Sequence, residues 1–248
     1  MRFGLLREYI RLICEKAVTA EEAAGKDLAL MKYRNKRGDD VLVLYNVKNF
    51  TTFVTEESKN EPEPSVTEFD IIVGFISYGD NRDGGKAYDA KEVRQSAAQQ
   101  GFGPVMYDLA MEDAGSLMSD RESVSDSAEK IWTYFYNKRD DVLKMKLDNV
   151  FKPETDTEED DAVIFADVED VKVKDKSGEE KKTKKYTRKR EPLNYAYMSS
   201  NATSIADLKS AHKKLMNMLH KSVRADVNDM EAKLHEMGHV FFWAKYRK

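Results

Sequence analysis

Apolar residues recur along this chain with two periods, and the switches between them outline its elements. Leu6, Tyr9, Ile10 and Ile13 fall at the i, i+3, i+4, i+7 spacing of one helix face with charges opposite, which predicts an amphipathic helix over residues 2–24. Leu28 to Tyr33 and Val41 to Val47 flank Asn35-Lys-Arg-Gly-Asp39, a turn-forming stretch between two β-prone runs, and read as a hairpin. Residues 55–65, with Pro62 and Pro64, read as a polar loop. Ile71 to Ser77 is an unbroken apolar run of the kind that fills the interior of a sheet. The turn from Gly79 to Gly85 is acidic, but it lacks the spacing and terminal glutamate of a calcium loop, so no ion is expected there.

Residues 93–115 change period within a few positions. A strand end is followed by Gly101-Phe-Gly103 and then by Pro104, whose missing N–H costs nothing in a first helical turn; Gly115 suits the position just past the last turn. The spacing predicts a short helix between them. Gly101 and Gly103 allow a ligand close to the backbone, and the unpaired amides of a first turn point outward at the positive end of the helix dipole. Such a turn can hold a pyrophosphate. Leu117 and Met118 can form a short strand, and Ser123-Val-Ser-Asp126 offers caps for a helix in which Ala128, Ile131, Trp132 and Phe135 share a face.

After residue 150 the composition shifts. Glu154, Asp156, Glu158, Glu159, Asp160 and Asp161 form an acidic run before one expected strand, Val163 to Ala166. Residues 172–190 then carry ten Lys or Arg against three acids. Like charges resist burial, so this tract reads as a solvated loop or an extended hairpin. Its only aromatic is Tyr186, and nucleic acid is not expected as a partner on composition alone. From Ser204 onward, Ile205, Leu208, Leu215, Leu219, Val223, Val227, Met230, Leu234 and Met237 mark one or two long helices.

The totals narrow the class. A chain of 248 residues with 41% hydrophobic and 35% charged residues can bury one large core and still carry long polar excursions. The single cysteine, Cys14, excludes an internal disulfide and points to a reducing, cytoplasmic setting. Arg7, Glu8 and Arg11 interrupt the first apolar run, so neither a signal peptide nor a membrane anchor is expected.

The order of strand, glycine turn, helix, strand and helix resembles the GNAT family of acyl-CoA-dependent N-acetyltransferases, whose turn reads Gln/Arg-x-x-Gly-x-Gly/Ala. The phrases Gly101-Phe-Gly-Pro-Val-Met-Tyr107 and Leu117-Met-Ser-Asp-Arg121 through Trp132 more specifically resemble acetyltransferase-like proteins of tailed bacteriophages. The resemblance covers about a fifth of the chain. It implies that the amides of Gln100, Gly101, Phe102 and Gly103 hold the pyrophosphate of acetyl-CoA, and that an amine of unknown acceptor attacks the thioester while a tyrosine protonates the leaving thiolate. Two positions depart from the family pattern. Ala98 stands three before Gly101 in place of Gln or Arg, with Gln99 and Gln100 adjacent. The usual tyrosine acid falls on Trp132, leaving Tyr134 and Tyr136 as substitutes. Asp89 and Glu92 are the nearby carboxylates for a base.

A second motif competes. His235-Glu-Met-Gly-His239 matches H-E-x-x-H, in which two histidines one turn apart grip zinc and the glutamate, Glu236, activates water. A third ligand would have to come from His212 or His220, because only nine residues follow His239.

The sequence therefore predicts an α+β protein: an N-terminal helix over 1–24, a GNAT-like mixed sheet with flanking helices over 25–150, a charged strand and loop region over 151–203, and C-terminal helices over 204–248. Its leading function is acyl-CoA-dependent N-acetyl transfer, or a degenerate relative of it. The alternatives are a noncatalytic virion protein assembling through its terminal helices and a zinc hydrolase.

Overall fold

The computed structural model describes residues 18, 22–23, 25–59, 65–80, 89–120, 124–147, 167–174, 180–187, 191–199 and 232–238. Most of the 2–24 helix, Cys14, the 154–161 acidic run, the 163–166 strand, residues 204–231 and His239 lie outside the described residues, as does most of the Gly79–Gly85 turn.

The expected hairpin forms. Strands β1 (Leu28–Arg34) and β2 (Asp40–Asn46) pair antiparallel, with Leu30 opposite Leu44 and Tyr33 opposite Val41. Asn35 closes the turn between them, its Oδ1 accepting from the amides of Arg37 and Asp39 at 2.9 and 3.0 Å.

Beyond β2 the chain departs from the expected loop, because Val47–Ser58 is helix α1. Its residues Thr51, Thr52, Val54 and Thr55 have branched side chains that lower helix propensity. In place, the hydroxyls of Thr51 and Thr55 bond the carbonyls four residues back, while Phe50 and Phe53 supply a buried face. The side chain of Asn46 caps the start by accepting from the Asn49 amide at 2.9 Å. Asn46→Ala should lower stability by about 1 kcal/mol in urea denaturation without changing the slope of the transition.

The chain continues through α2 (Glu68–Ile71), β3 (Ile72–Asp80), β4 (Lys91–Ala98), α3 (Gly103–Ala114), β5 (Leu117–Met118), α4 (Asp126–Lys138) and β6 (Val142–Lys146). A hairpin of β7 (Asp167–Lys174) and β8 (Glu180–Thr187) follows, then a 3₁₀ turn at Glu191–Asn194, β9 (Tyr195–Ser199) and a helix over 232–238, α5. The main sheet runs β1-β2-β3-β4-β5-β9-β6. Its neighbours are antiparallel except β4 and β5, which are parallel. The protein is thus α+β, a seven-stranded mixed sheet flanked by helices. Strand β9, from beyond residue 150, completes that sheet between β5 and β6.

Strand alternation divides the core in two. Leu28, Leu30, Leu42, Leu44 and Ile76 meet Val105, Met106 and Leu109 of α3 and Trp132 and Phe135 of α4. On the opposite face Ala29, Met31, Val41, Val43 and Phe75 meet Phe50 and Phe53 of α1 and Leu234 and Met237 of α5. The C-terminal end of α3 is tied to the sheet by Asp113, which accepts from the Tyr78 hydroxyl at 2.6 Å and pairs with Lys32. Among the described residues no helix is long and apolar enough to cross a membrane.

Candidate functional site

The site is built where β4 leaves β5. The two strands pair at only two positions, Lys91 with Leu117 and Glu92 with Met118, anchored by the Lys91 amide donating to Ser116 O at 3.0 Å. β4 then runs on to Ala98 with no further β5 partner. On its other side β4 stays paired with β3, but the register slips: Tyr78 faces Val93 while Ser77 faces Gln95. Arg94 is the extra residue of that bulge, a device that re-aims backbone groups and side chains.

Beyond Ala98 the chain turns into α3. Gln99 fixes the turn: its amide donates to Val73 O at 2.8 Å, and its side-chain amide reaches Phe69 O at 2.9 Å and Ile72 O at 3.1 Å. Gly101 sits at φ +84°, a conformation that strains an L side chain. The Phe102 amide donates to Gln99 O at 3.1 Å and closes the turn. Of the four positions to which the resemblance gave phosphate contacts, Phe102 therefore has its N–H spent inside the protein. Gly103 is also a packing glycine, since a Cβ there would lie 2.9 Å from Ile131 Cδ1 of α4.

Among the described residues no side chain caps the start of α3. Its cap position is Phe102, which has no side-chain acceptor, whereas α1 is capped by Asn46 and α4 by Ser125, which accepts from the Ala128 amide at 3.3 Å. Pro104 removes one first-turn donor. Gly103 and Val105 precede the first intrahelical bond, Met106 N–H to Phe102 O at 3.1 Å, so the helix itself offers their amides no acceptor. Lys26 brings an ammonium 5.5 Å from the centre of the Phe102 ring. Sequence reasoning missed Lys26, because only the fold carries the segment before β1 to this turn; the Val18 amide bonding Gly101 O at 3.2 Å shows the same approach.

The two expected tyrosines are separated. Tyr134 follows Ile131 by one turn of α4 on the face that meets α3, and packs against the main core beside Phe135. Tyr136 lies towards β9 and β6, its ring 5.2 Å from that of Tyr195 and under the Lys144 ammonium. Burial, then the bonds to Tyr136 and Glu191, pushes the Tyr195 hydroxyl up to about 12. Trp132, at the family's tyrosine position, is 1% exposed and stacks edge-on against Tyr107.

Of the two carboxylates, Glu92 is not a surface charge. Its side chain is 3% exposed and pairs with Arg94 Nη1 at 2.8 Å, on the last residue of β4 that touches β5. Asp89 instead lies in the turn before β4 with φ +48°, its carbonyl accepting from Ser116 Oγ at 3.1 Å.

No protein family, curated protein or solved structure matches the chain.

The H-E-x-x-H segment falls on α5. Leu234 and Met237 turn into the core, and Gly238 fits against Val43 and Phe75. His235 is half-buried and meets the Tyr33 ring edge-on at 4.1 Å, while Glu236 is exposed. The Tyr33 hydroxyl beside it is buried, makes no hydrogen bond among the described residues, and is pushed up to about 12 by desolvation. Among the described residues no group of three His, Cys, Asp or Glu is placed to hold a metal. His212, His220 and His239 lie outside them.

Proposed function

We propose that the chain is an acyl-CoA-dependent N-acyltransferase-like protein that binds its cofactor at the turn over 99–103, beside the β4–β5 ladder. The carrying observation is that the parallel ladder of β4 and β5 has two pairs and that the start of α3 beyond it has, among the described residues, no side-chain cap. An elongated thioester with an anionic nucleotide tail matches both halves of this arrangement. First-turn amides of the helix would meet its phosphates. The amides of Gly101, Gly103 and Val105, with Lys26 as a nearby cation, fit a pyrophosphate better than the contiguous set over Gln100 to Gly103, because the Phe102 amide is committed to the turn.

Acetyl-CoA, when bound, supplies the acyl group as an activated thioester. The protein's own part is to position an amine and to move two protons. Glu92, buried where the ladder ends, is the carboxylate placed to take the proton of an attacking amine. The family position for the acid is closed by Trp132. Tyr134, one turn beyond the contact with Gly103, is the better placed of the two substitutes to return a proton to the departing sulfur.

Thermal denaturation with acetyl-CoA tests the reading. A ligand specific to the native state at a hundred times its Kd adds about 2.7 kcal/mol, which raises the Tm of a chain this long by roughly 5–10 °C. Gly101→Val should melt lower without ligand, since the positive φ costs a branched side chain about 1–2 kcal/mol, and should lose the acetyl-CoA increment. An increment that persists in Gly101→Val removes the turn from the site. No increment in the natural protein favours the noncatalytic assembly reading, and an increment with zinc alone favours the hydrolase. Tyr134→Phe should keep the increment and slow thiol release by about a hundredfold.

A further inference from the structure

Strand β6 closes one end of the seven-stranded sheet, with β9 as its one strand partner among the described residues. Its two faces differ. Val142 joins the core with α3 and α4, and Lys144 stands on the same side, its ammonium over the Tyr136 ring. Leu143 and Met145, which alternate with them, stand on the opposite face and are exposed. Leu143, at 60%, is the most exposed large apolar side chain among the described residues, and directly across from it on β9 is the exposed Met198. An apolar row thus runs out to the edge of the sheet, where an end strand offers its backbone to a further strand.

The charges decide what that further strand is. We infer that it is β6 of a second copy of the chain, paired antiparallel about a twofold axis at Leu143. An axis at Lys144 would set Lys144 against itself, and an axis at Met145 would set Lys144 against Lys146; like charges directly opposed destabilise a strand pair. An axis at Leu143 instead places Lys144 beside Val142 of the second copy and Lys146 beside its Asp140. Asp140 belongs to the turn that leads into the strand, closed by the Val142 amide donating to Arg139 O at 3.4 Å. Asp140 and Lys146 are both exposed, and neither makes an ion pair among the described residues. Because a twofold interface is self-complementary, the axis forms two such pairs at once. On the other face, Met198 and Leu143 of one copy meet Leu143 and Met198 of the other in a single cross-strand row. Met145 comes beside Asp141, whose charge Arg139 already balances. Lysines that guard an edge against an arbitrary strand therefore admit this chain's own strand in one register.

The test joins sedimentation velocity of the full chain over a range of concentrations to disulfide trapping in a Cys14→Ser background, which removes the only native cysteine. A concentration-dependent dimer is expected. Residues directly opposed in an antiparallel pair have Cα atoms about 4.5–5.5 Å apart, within disulfide range, so Leu143→Cys should give a covalent dimer under mild oxidation. Met145→Cys should not, since the two copies of that residue stand four positions, roughly 13 Å, apart. Asp140→Lys and Lys146→Asp should each weaken the dimer by about tenfold, and the two together should restore it. Thermal melts should show that these exposed substitutions keep the fold. A chain monomeric at every concentration overturns the inference: a shielded Leu143→Cys thiol then assigns the edge to another segment of the same chain, and a reactive one to a different protein. Crosslinking of Met145→Cys as fast as Leu143→Cys, or a dimer indifferent to Asp140→Lys, overturns it as well.

Discussion

Trp132→Ala should be the most damaging single truncation in the described fold, lowering stability by about 3–5 kcal/mol. The indole is 1% exposed and stands at the meeting point of three elements: it lies 4.9 Å edge-on from the Tyr107 ring of α3 and 5.0 Å from the Tyr197 ring of β9. Tyr107 and Tyr197 are themselves buried, and each is held by its hydroxyl, Tyr107 to Ser96 Oγ at 2.9 Å and Tyr197 to Pro192 O. Neither ring can swing into the space an alanine leaves without giving up a buried hydrogen bond, so the cavity cannot collapse cheaply. For a chain of this size the change corresponds to a fall in Tm on the order of 10 °C. Scanning calorimetry reads it directly, and Trp243, the only other tryptophan, leaves a residual fluorescence signal for the variant. A loss below about 1 kcal/mol would mean that α4 is not packed as described. Trp132→Tyr should retain much of the packing but place a hydroxyl among apolar neighbours, so it should fall between the natural protein and the alanine variant. It should not gain activity, because the ring is enclosed by Tyr107, Phe135 and Tyr197.

The contrast between the legible and hidden parts of the chain follows the range of the interactions. The succession of β4, turn, α3, β5 and α4 is readable because its signals are local: Gly101 at positive φ, Pro104 in the first turn, Gly115 at φ +85° and a serine cap at Ser125 all act within a few residues. Helix α1 carries branched residues of low helix propensity, and what favours it is non-local, the packing of Phe50 and Phe53 on the sheet. Nothing local announces that β9 returns to lie between β5 and β6, since its partners Leu117 and Val142 to Lys146 are distant in sequence. The docking of α5 is similarly non-local. Its histidines drew notice as a motif, while the residues that anchor it are the plainer Leu234, Met237 and Gly238. At the candidate site the turn could be read, but not the two-pair length of the β4–β5 ladder, the burial of Glu92, or the approach of Lys26. Those depend on how strands diverge and on what covers them.

Arg139→Ala should be the second large loss, and its pH dependence separates electrostatics from packing. Arg139 follows α4 and clamps two carboxylates: Nη1 donates to Asp108 of α3 at 2.8 Å, and Nε and Nη2 each reach Asp141 at 2.7 Å. Breaking a buried pair costs about 3–5 kcal/mol. Arg139 and Asp108 keep 18% of their side-chain surface in water, so about 2–3 kcal/mol is expected near neutral pH. Burial holds the Asp108 carboxyl above its ordinary range while Arg139 pulls it back, and among the described residues its Oδ1 has no hydrogen-bond partner. Without the guanidinium the Asp108 pKa rises further. A carboxyl whose folded pKa is raised contributes stability while protonated, below its unfolded value, and loses that contribution as pH climbs through the folded value. Asp141 works in the opposite sense: its bond to Arg139 lowers its pKa, so its contribution exists above the unfolded value and vanishes as pH falls through the lowered one. Both effects make the variant's deficit greatest near pH 7 and smaller near pH 4, the range in which an unperturbed aspartate titrates. Urea denaturation at the two pH values reads the difference. Arg139 also covers the Phe135 ring at 5.3 Å, and a deficit due to that packing would not change with pH. Arg139→Lys, which restores charge without the two-pronged geometry, should recover the pH-dependent part only partially. Because the clamp joins α4 to α3 beyond the Ile131–Gly103 contact, its loss should also reduce the acetyl-CoA increment, through the orientation of the helix start rather than through any contact with ligand.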